Sequence, residues 1–463
     1  MKLLTILIPS AALLAIAGCV GRPVPSERAA RQDLQAVTTA FHPPGERPAL
    51  PTLTTNSSLA DFLRFAMLNH PQVEAAYFDW AASVERITVE RSLPDPKLTF
   101  EMDIKSVVEA VMPGLMAEFP GPGKLRAAAN VASAESHMKY FAFEGAAVQT
   151  ALAFKRAYYQ NHFLAEKIRV TQRTLDLARD LEQIARQQNE VGKTTMQDAL
   201  RAQIEQDKLK NEIANLEDSR APLLAQMKAA LGLKYDQLDP PVPAQFETTP
   251  VDVNPDQVLA AAVARNPRLK VMEADVRRAE AAIHMAHKAR VPDFSGGVEL
   301  DAKSYPVMVR PSASITLPIW RDKLRAQMAE AQAGKRAAEA RLSAEQIALA
   351  VELAEKSFML REATRKLTLV QDNLLPKASL SVEVARASYL AGKTEFMNVL
   401  DAWRTLLEFE MTIVEARTQR ELALAELSLA IIGAPPTGAS VLNPAPASTA
   451  TPESQTTDKS HAN

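Results

Sequence analysis

Cysteine is almost absent: one residue, Cys19, in a chain of 463. No disulfide can close within the chain, and no multi-cysteine metal site exists. Aromatic residues make up only 5%. Charge of one sign is not in excess, with Lys+Arg 53 against Asp+Glu 55. A nucleic-acid surface normally shows as a basic surplus, so the balance argues against one. No nucleophile–base pair and no suggestively placed carboxylate pair occurs, which leaves an enzyme, or a cofactor-dependent one, without residues to carry it. What is abundant is Ala, Leu, Glu, Arg and Lys, the composition of long helices and coiled coils.

The apolar run Leu3–Ala17 follows Met1-Lys2 and contains Pro9. It is short for a membrane span and reads as a secretory signal peptide, residues 1–18. Its end, Ile16-Ala17-Gly18-Cys19, resembles a bacterial lipobox, which makes Cys19 the expected lipidated N-terminus. Val20 rather than Asp at the next position fits outer-membrane sorting. Residues 19–56 are rich in Pro and polar residues and are expected to run as an extended leader.

Ser57 or Ser58 is positioned to cap a helix starting at Leu59. Helical periodicity runs to about Ser92, interrupted at Pro71, and Pro94-Asp95-Pro96 ends it. Leu98 to Asp103 alternates apolar and polar residues, the mark of a strand with two unlike faces, and Leu115–Phe119 is a second strand candidate. After the break Phe119-Pro120-Gly121-Pro122-Gly123-Lys124, no proline occurs until well past Glu190. That stretch predicts one helix of roughly 100 Å at 1.5 Å per residue. Glu190-Val191-Gly192-Lys193-Thr194 then reads as the tip of a helical hairpin, since glycine accepts the left-handed conformation that ends a helix. A return helix runs from about Thr195 to Leu231, with a kink expected at Pro222. Residues 233–255 hold five prolines and read as a linker.

The landmarks then recur in order, each about 200 residues later. Asn69-His70-Pro71 returns as Asn266-Pro267, Pro94-Asp95 as Pro292-Asp293, and Phe119-Pro120 as Leu317-Pro318. The tip returns as Gly392-Lys393-Thr394, and the stop Leu231-Gly232 as Ile432-Gly433. Residues 57–232 and 256–433 are therefore two copies of one architecture, a long rod with two strands at one end and a hairpin tip at the other. Pro376 lies inside only the second long helix and should kink only that copy. Residues 434–463 form a Pro-, Ala-, Ser- and Thr-rich tail expected to be disordered.

Four strands per chain are too few to close a barrel, and an open sheet leaves unpaired edges. Copies from several chains could close it, with Leu98, Phe100 and Met102 toward lipid and Thr99, Glu101 and Asp103 toward a polar lumen. A small soluble sheet packed on the helices is the other reading of the same alternation.

The chain resembles the TolC-like outer-membrane efflux proteins, the outer membrane factors, over about Leu59 to Gly433. Leu375-Pro376, Tyr389, Gly392, Val399-Leu400-Asp401-Ala402 and the internal repeat carry the resemblance. It implies a homotrimer with a twelve-stranded transmembrane barrel and a periplasmic helical tunnel. It also implies tips that meet an adaptor protein and open on engagement, facing an inner-membrane pump, which the narrower resemblance that follows makes one of the resistance-nodulation-division type. Leu93-Pro94-Asp95-Pro96-Lys97-Leu98 and Phe119-Pro120-Gly121-Pro122-Gly123-Lys124 are similar to the heavy-metal branch of that family. The cargo, metal ion or organic molecule, is not specified by the channel. Some family members close with paired aspartates before the second tip; here Glu383 and Arg386 are the nearest charges and the candidate gate.

Gly192, Lys193, Thr194, Gly392, Lys393 and Thr394 look like half of a phosphate-binding loop, but the glycine needed five residues earlier is Gln187 or Ala387. They read instead as turns and, by resemblance, adaptor contacts. His284 and His287 share a helix face without a third ligand nearby. Met102, Met112 and Met116 are expected to fill the barrel wall rather than hold a soft metal. No cofactor is expected. The function expected is a passive, tip-gated exit duct in the outer membrane, and the competing reading is a tethering lipoprotein, a periplasmic coiled coil with no pore.

Overall fold

The structure, a computed structural model, describes residues 23–41, 50–104, 108–192, 195–243, 246–248, 262–301 and 304–431. The expected signal peptide, Cys19, residues 244–245 and 249–255 of the expected linker, and the expected tail lie outside the described residues. Two repeats are evident. The first comprises α2 (Leu59–Asn69), α3 (Pro71–Arg91), β1 (Lys97–Ile104), β2 (Val108–Phe119), α4 (Lys124–Glu190), α5 (Met196–Asp218) and α6 (Arg220–Ala230). The second comprises α7 (Pro267–Lys288), β3 (Asp293–Asp301), β4 (Met308–Thr316), α8 (Arg321–Leu369), α9 (Leu375–Leu390) and α10 (Phe396–Ala425).

The shared landmarks now have physical causes. Ser58 caps α2 in a reciprocal capping box with Asp61. His70 and Asn266 each cap the helix that follows by accepting a backbone N–H, and Pro71 and Pro267 take the first helical turn, where a missing donor costs nothing. The long helix is realised: α4 has 67 residues without interruption. It is the spine of the molecule. Toward the sheet it packs between α3 and α7, and toward the tip between α5 and α10. The rod formed by α8 and α9 borders α7 above and α10 below. Two shorter helices thus stack against each long one. The helix layer has two lateral edges, α3 and α5 on one side and α8 and α9 on the other.

The prolines act differently from a simple kink. The return helix breaks at Ser219, so Pro222 falls in the first turn of α6, where it is tolerated. In the second copy a π-turn, Val370–Leu374, sits just before Pro376, which cannot donate to the carbonyl of Asp372. The counterpart in α4 is continuous, as the single-copy proline predicts.

One expectation is overturned. Within residues 19–56, read as extended, Pro25–Phe41 forms a helix, α1. Val24 just before it, with its Ala30 and Phe41, joins Tyr77, Trp80 and Phe143 in an aromatic core against α3 and α4. The Glu27 carboxylate is buried there. It accepts from Arg91 Nε at 2.7 Å, Thr88 Oγ1 at 2.9 Å and Arg31 Nε at 3.4 Å, while Arg31 also grips Glu85 at 2.8 and 2.9 Å. Burial works to raise the Glu27 pKa, and the bonds from Arg91, Thr88 and Arg31 outweigh it, leaving the group below its ordinary value.

Candidate channel wall and tip

The four strands form one antiparallel sheet in the order β1-β2-β3-β4. Register puts like residues on one face in all three ladders. Leu98 opposes Leu115, Leu115 opposes Val298, and Phe294 opposes Ile315. On the other face Thr99 opposes Gly114, Gly114 opposes Glu299, and Glu299 opposes Arg310. A one-residue slip would exchange the faces, so this register is specified by the alternation itself.

The apolar face is uncovered. Leu98 is 66% exposed, Phe100 68% and Met102 59%, and Leu115, Phe294, Val298, Leu300, Val309 and Ile315 are exposed beside them. A contiguous apolar surface of this kind marks a contact with lipid or protein. Among the described residues no helix is long and apolar enough to cross a membrane. The polar face carries the ion pairs Lys97–Glu118 at 2.5 Å and Arg310–Asp301 at 3.4 Å. Met112 and Met116 belong to this polar face, not to the apolar wall where they were expected. β2 begins at Val108 and fixes their parity with Lys97 and Glu101. Met112 is buried with its sulfur 3.4 Å from Arg310 Nη1. His284 and His287 are both exposed on α7, and no metal-binding group of three His, Cys, Asp or Glu occurs among the described residues.

Where helices meet sheet, the Pro-Gly-Pro-Gly-Lys break makes a knot. Lys124 Nζ reaches both Asp293 oxygens at 2.7 and 2.8 Å, and the Gly121 N–H donates to Asp293 Oδ1 at 2.7 Å. A Cβ on Gly121 would stand 2.2 Å from the Pro292 carbonyl oxygen, so only glycine fits.

The tips are helix turns, as expected. Gly192 has φ 74° and Gly392 φ 69°. At the second tip the Gly392 N–H donates to the Tyr389 carbonyl and the Lys393 N–H to the Ser388 carbonyl, both at 2.9 Å, a Schellman closure. Lys193 and Thr194 lie outside the described residues. Behind the tips, Leu181 and Ala185 of α4, Ala199 and Ala202 of α5, Tyr389 of α9, and Phe396, Val399, Leu400 and Trp403 of α10 form one core. Val399 and Leu400 of the recognisable motif are therefore packing residues.

Glu383 and Arg386 are exposed on α9, and among the described residues neither forms an ion pair. The polar links between the two hairpins are elsewhere. Tyr389 Oη donates to Asp198 Oδ2 at 3.4 Å, and Arg404 Nη2 reaches Glu205 Oε2 at 3.2 Å. Within the first hairpin, Glu182 of α4 accepts from Arg186 at 2.6 Å, Gln203 at 2.8 Å and Gln206 at 3.2 Å. Burial opposes these bonds but does not outweigh them, and the Glu182 pKa is lowered. Sequence reasoning marked Tyr389 but could not find Asp198, which lies far away in the chain and beside it only in space.

The chain matches a family model described as outer membrane efflux protein over residues 63–233 and 258–433. No curated protein is similar enough in sequence to stand as a relative. Solved structures share the fold. A membrane protein from Pseudomonas aeruginosa is 19% identical with a TM-score of 0.71, covering 86% of this chain and 98% of that one. The outer membrane protein VceC from Vibrio cholerae is 15% identical with a TM-score of 0.67, over 81% and 96%. The open-state MtrE outer membrane channel of Neisseria gonorrhoeae is 16% identical with a TM-score of 0.67, over 85% and 97%.

Proposed function

The chain belongs to the outer membrane efflux protein family, and on that footing we propose that it is the exit duct of a tripartite efflux system in the outer membrane of a Gram-negative bacterium. The observation that carries this reading is the one-faced sheet, apolar side uncovered and both edges open, mounted on a helical rod roughly 100 Å long. An apolar exterior and a polar interior are what a lipid-embedded barrel requires, and its edges must close on other copies. Three copies supply twelve strands.

The duct works without chemistry. An inner-membrane pump, of the resistance-nodulation-division type, delivers cargo, small organic molecules or metal ions, through a periplasmic adaptor. The adaptor meets the tips at Gly192, Lys193, Thr194, Gly392, Lys393 and Thr394. Lipidated Cys19 adds a second hold on the same membrane, and the N-terminal end of α1, beside Arg91 and so close to the sheet, suits that attachment. Closure depends on the two hairpins of each copy staying together, through the tip core and the Tyr389–Asp198 and Arg404–Glu205 links. Engagement would release those links and swing α9, whose main packing is on α10. Disulfide trapping of the hairpins tests this. Joining α9 to α5 should abolish transport in cells and be reversed by reductant, and unimpaired export with the hairpins locked would refute the gate.

A further inference from the structure

The internal repeat makes a demand that one chain does not meet. The neck knot joins the first repeat to the second, Lys124 at the start of α4 to Asp293 at the start of β3. Both residues have counterparts. Lys124-Leu125-Arg126-Ala127 recurs as Lys323-Leu324-Arg325-Ala326, and Pro94-Asp95 is the first-repeat form of Pro292-Asp293. The counterpart bond would therefore join Lys323 to Asp95. Within one chain these two stand at opposite edges of the molecule, Lys323 beside β4 and Asp95 beside β1, the outermost strands of the sheet. Both are exposed, and among the described residues neither has an ionic partner.

We propose that Lys323 of one copy pairs with Asp95 of a second copy, and that β4 joins the second copy's β1 in the register that β2 uses with β3. This rests on the ring-forming reading above and adds its contact residues. The ladder that pairs Ala117 with Gly296 and Met116 with Gly297 translates, through the repeat, to Ile315 with Leu98 and Ser314 with Thr99. It likewise sets Ala313 against Phe100 and Ser312 against Glu101. The outcome is a check the repeat had no need to pass. Every apolar residue meets an apolar one and every polar residue a polar one, so the joined sheet keeps its two faces across the seam. A shift by one residue would put Leu98 against Ser314 and fail. The contact is head-to-tail, since it uses different surfaces on each copy, and it therefore closes only as a ring.

Two sets of variants test the seam on the full-length protein extracted in detergent. Oxidation of the double variant Ser314→Cys/Thr99→Cys should yield a covalently closed trimer on denaturing gels. The variant Ser312→Cys/Thr99→Cys, set for a two-residue slip, should remain mostly monomeric. A trimeric native mass with cross-linking only in the slipped variant would overturn the proposed register. A monomeric native mass without cross-linking in either would overturn the ring reading beneath it. For the ion pair, Lys323→Asp should lower the melting temperature of the trimer, and the exchange Asp95→Lys/Lys323→Asp should restore it. An unchanged melting temperature in Lys323→Asp, or no recovery in the exchange, would overturn the pairing even if the strands cross-link as proposed.

Discussion

Replacing Tyr389 by phenylalanine isolates the polar link at the tip. The ring is buried at 2% exposure and lies 5.7 Å from Phe396, and phenylalanine keeps both features. The bond to Asp198 is lost, and at 3.4 Å it is long. Such a bond belongs at the low end of the net range, ~0.5 kcal/mol. In the proposed ring of three copies, opening together, the losses add to ~1.5 kcal/mol, about a tenfold shift in the closed-to-open ratio. Single-channel recording in planar bilayers reads this directly. Tyr389→Phe should raise the open fraction about tenfold while the mass of the assembly stays unchanged. An open fraction equal to the parent's, in a protein of unchanged mass, would show that the link does not hold the tip closed.

Four further outcomes follow from the packing. Glu27→Ala should cost ~3 kcal/mol, because it removes the buried carboxylate that Arg91, Thr88 and Arg31 all bond, and faster hydrogen exchange confined to α1 and its contacts on α3 would register the loss. Because the folded pKa of Glu27 lies below its ordinary 4.5, the clamp's contribution is complete above that pH and is lost as acid drops the pH through the lowered value. Exchange in α1 should accordingly rise in the parent protein as the pH falls from 4.5 toward the lowered value, and stay flat in Glu27→Ala. Trp80→Ala should cost about 3–5 kcal/mol, visible as a lower thermal midpoint, since its ring is 1% exposed between Tyr140 and Phe143. Gly121→Ala should distort the neck, since its Cβ would meet the Pro292 carbonyl at 2.2 Å. A crystal structure retaining the Lys124–Asp293 bond in that variant would contradict this.

Much of the architecture is legible because helices and strands here declare themselves by period. The 67-residue α4 carries no proline, and β1 alternates strictly from Leu98 to Asp103. The repeat is legible because its landmarks are obligatory backbone features, namely caps, breaks and tips. The helix α1 was missed for a reason of averaging. Prolines on both sides of it dominate the composition of residues 19–56, yet Ala30, Leu34, Val37 and Phe41 keep a helical spacing inside them. Met112 and Met116 were misplaced because the start of β2, and with it the parity of every later residue, follows from pairing with β1 and not from local alternation. The tip links were illegible in principle. Tyr389 and Asp198 come together only because hairpins of two repeats pack side by side.

The claim that this chain is a wall segment of a closed pore is tested most directly by one combined measurement, native mass in detergent with single-channel conductance of the same preparation. The expected result is a trimer that conducts weakly and opens further in Tyr389→Phe. A monomer or dimer that never conducts, with or without that substitution, would contradict it.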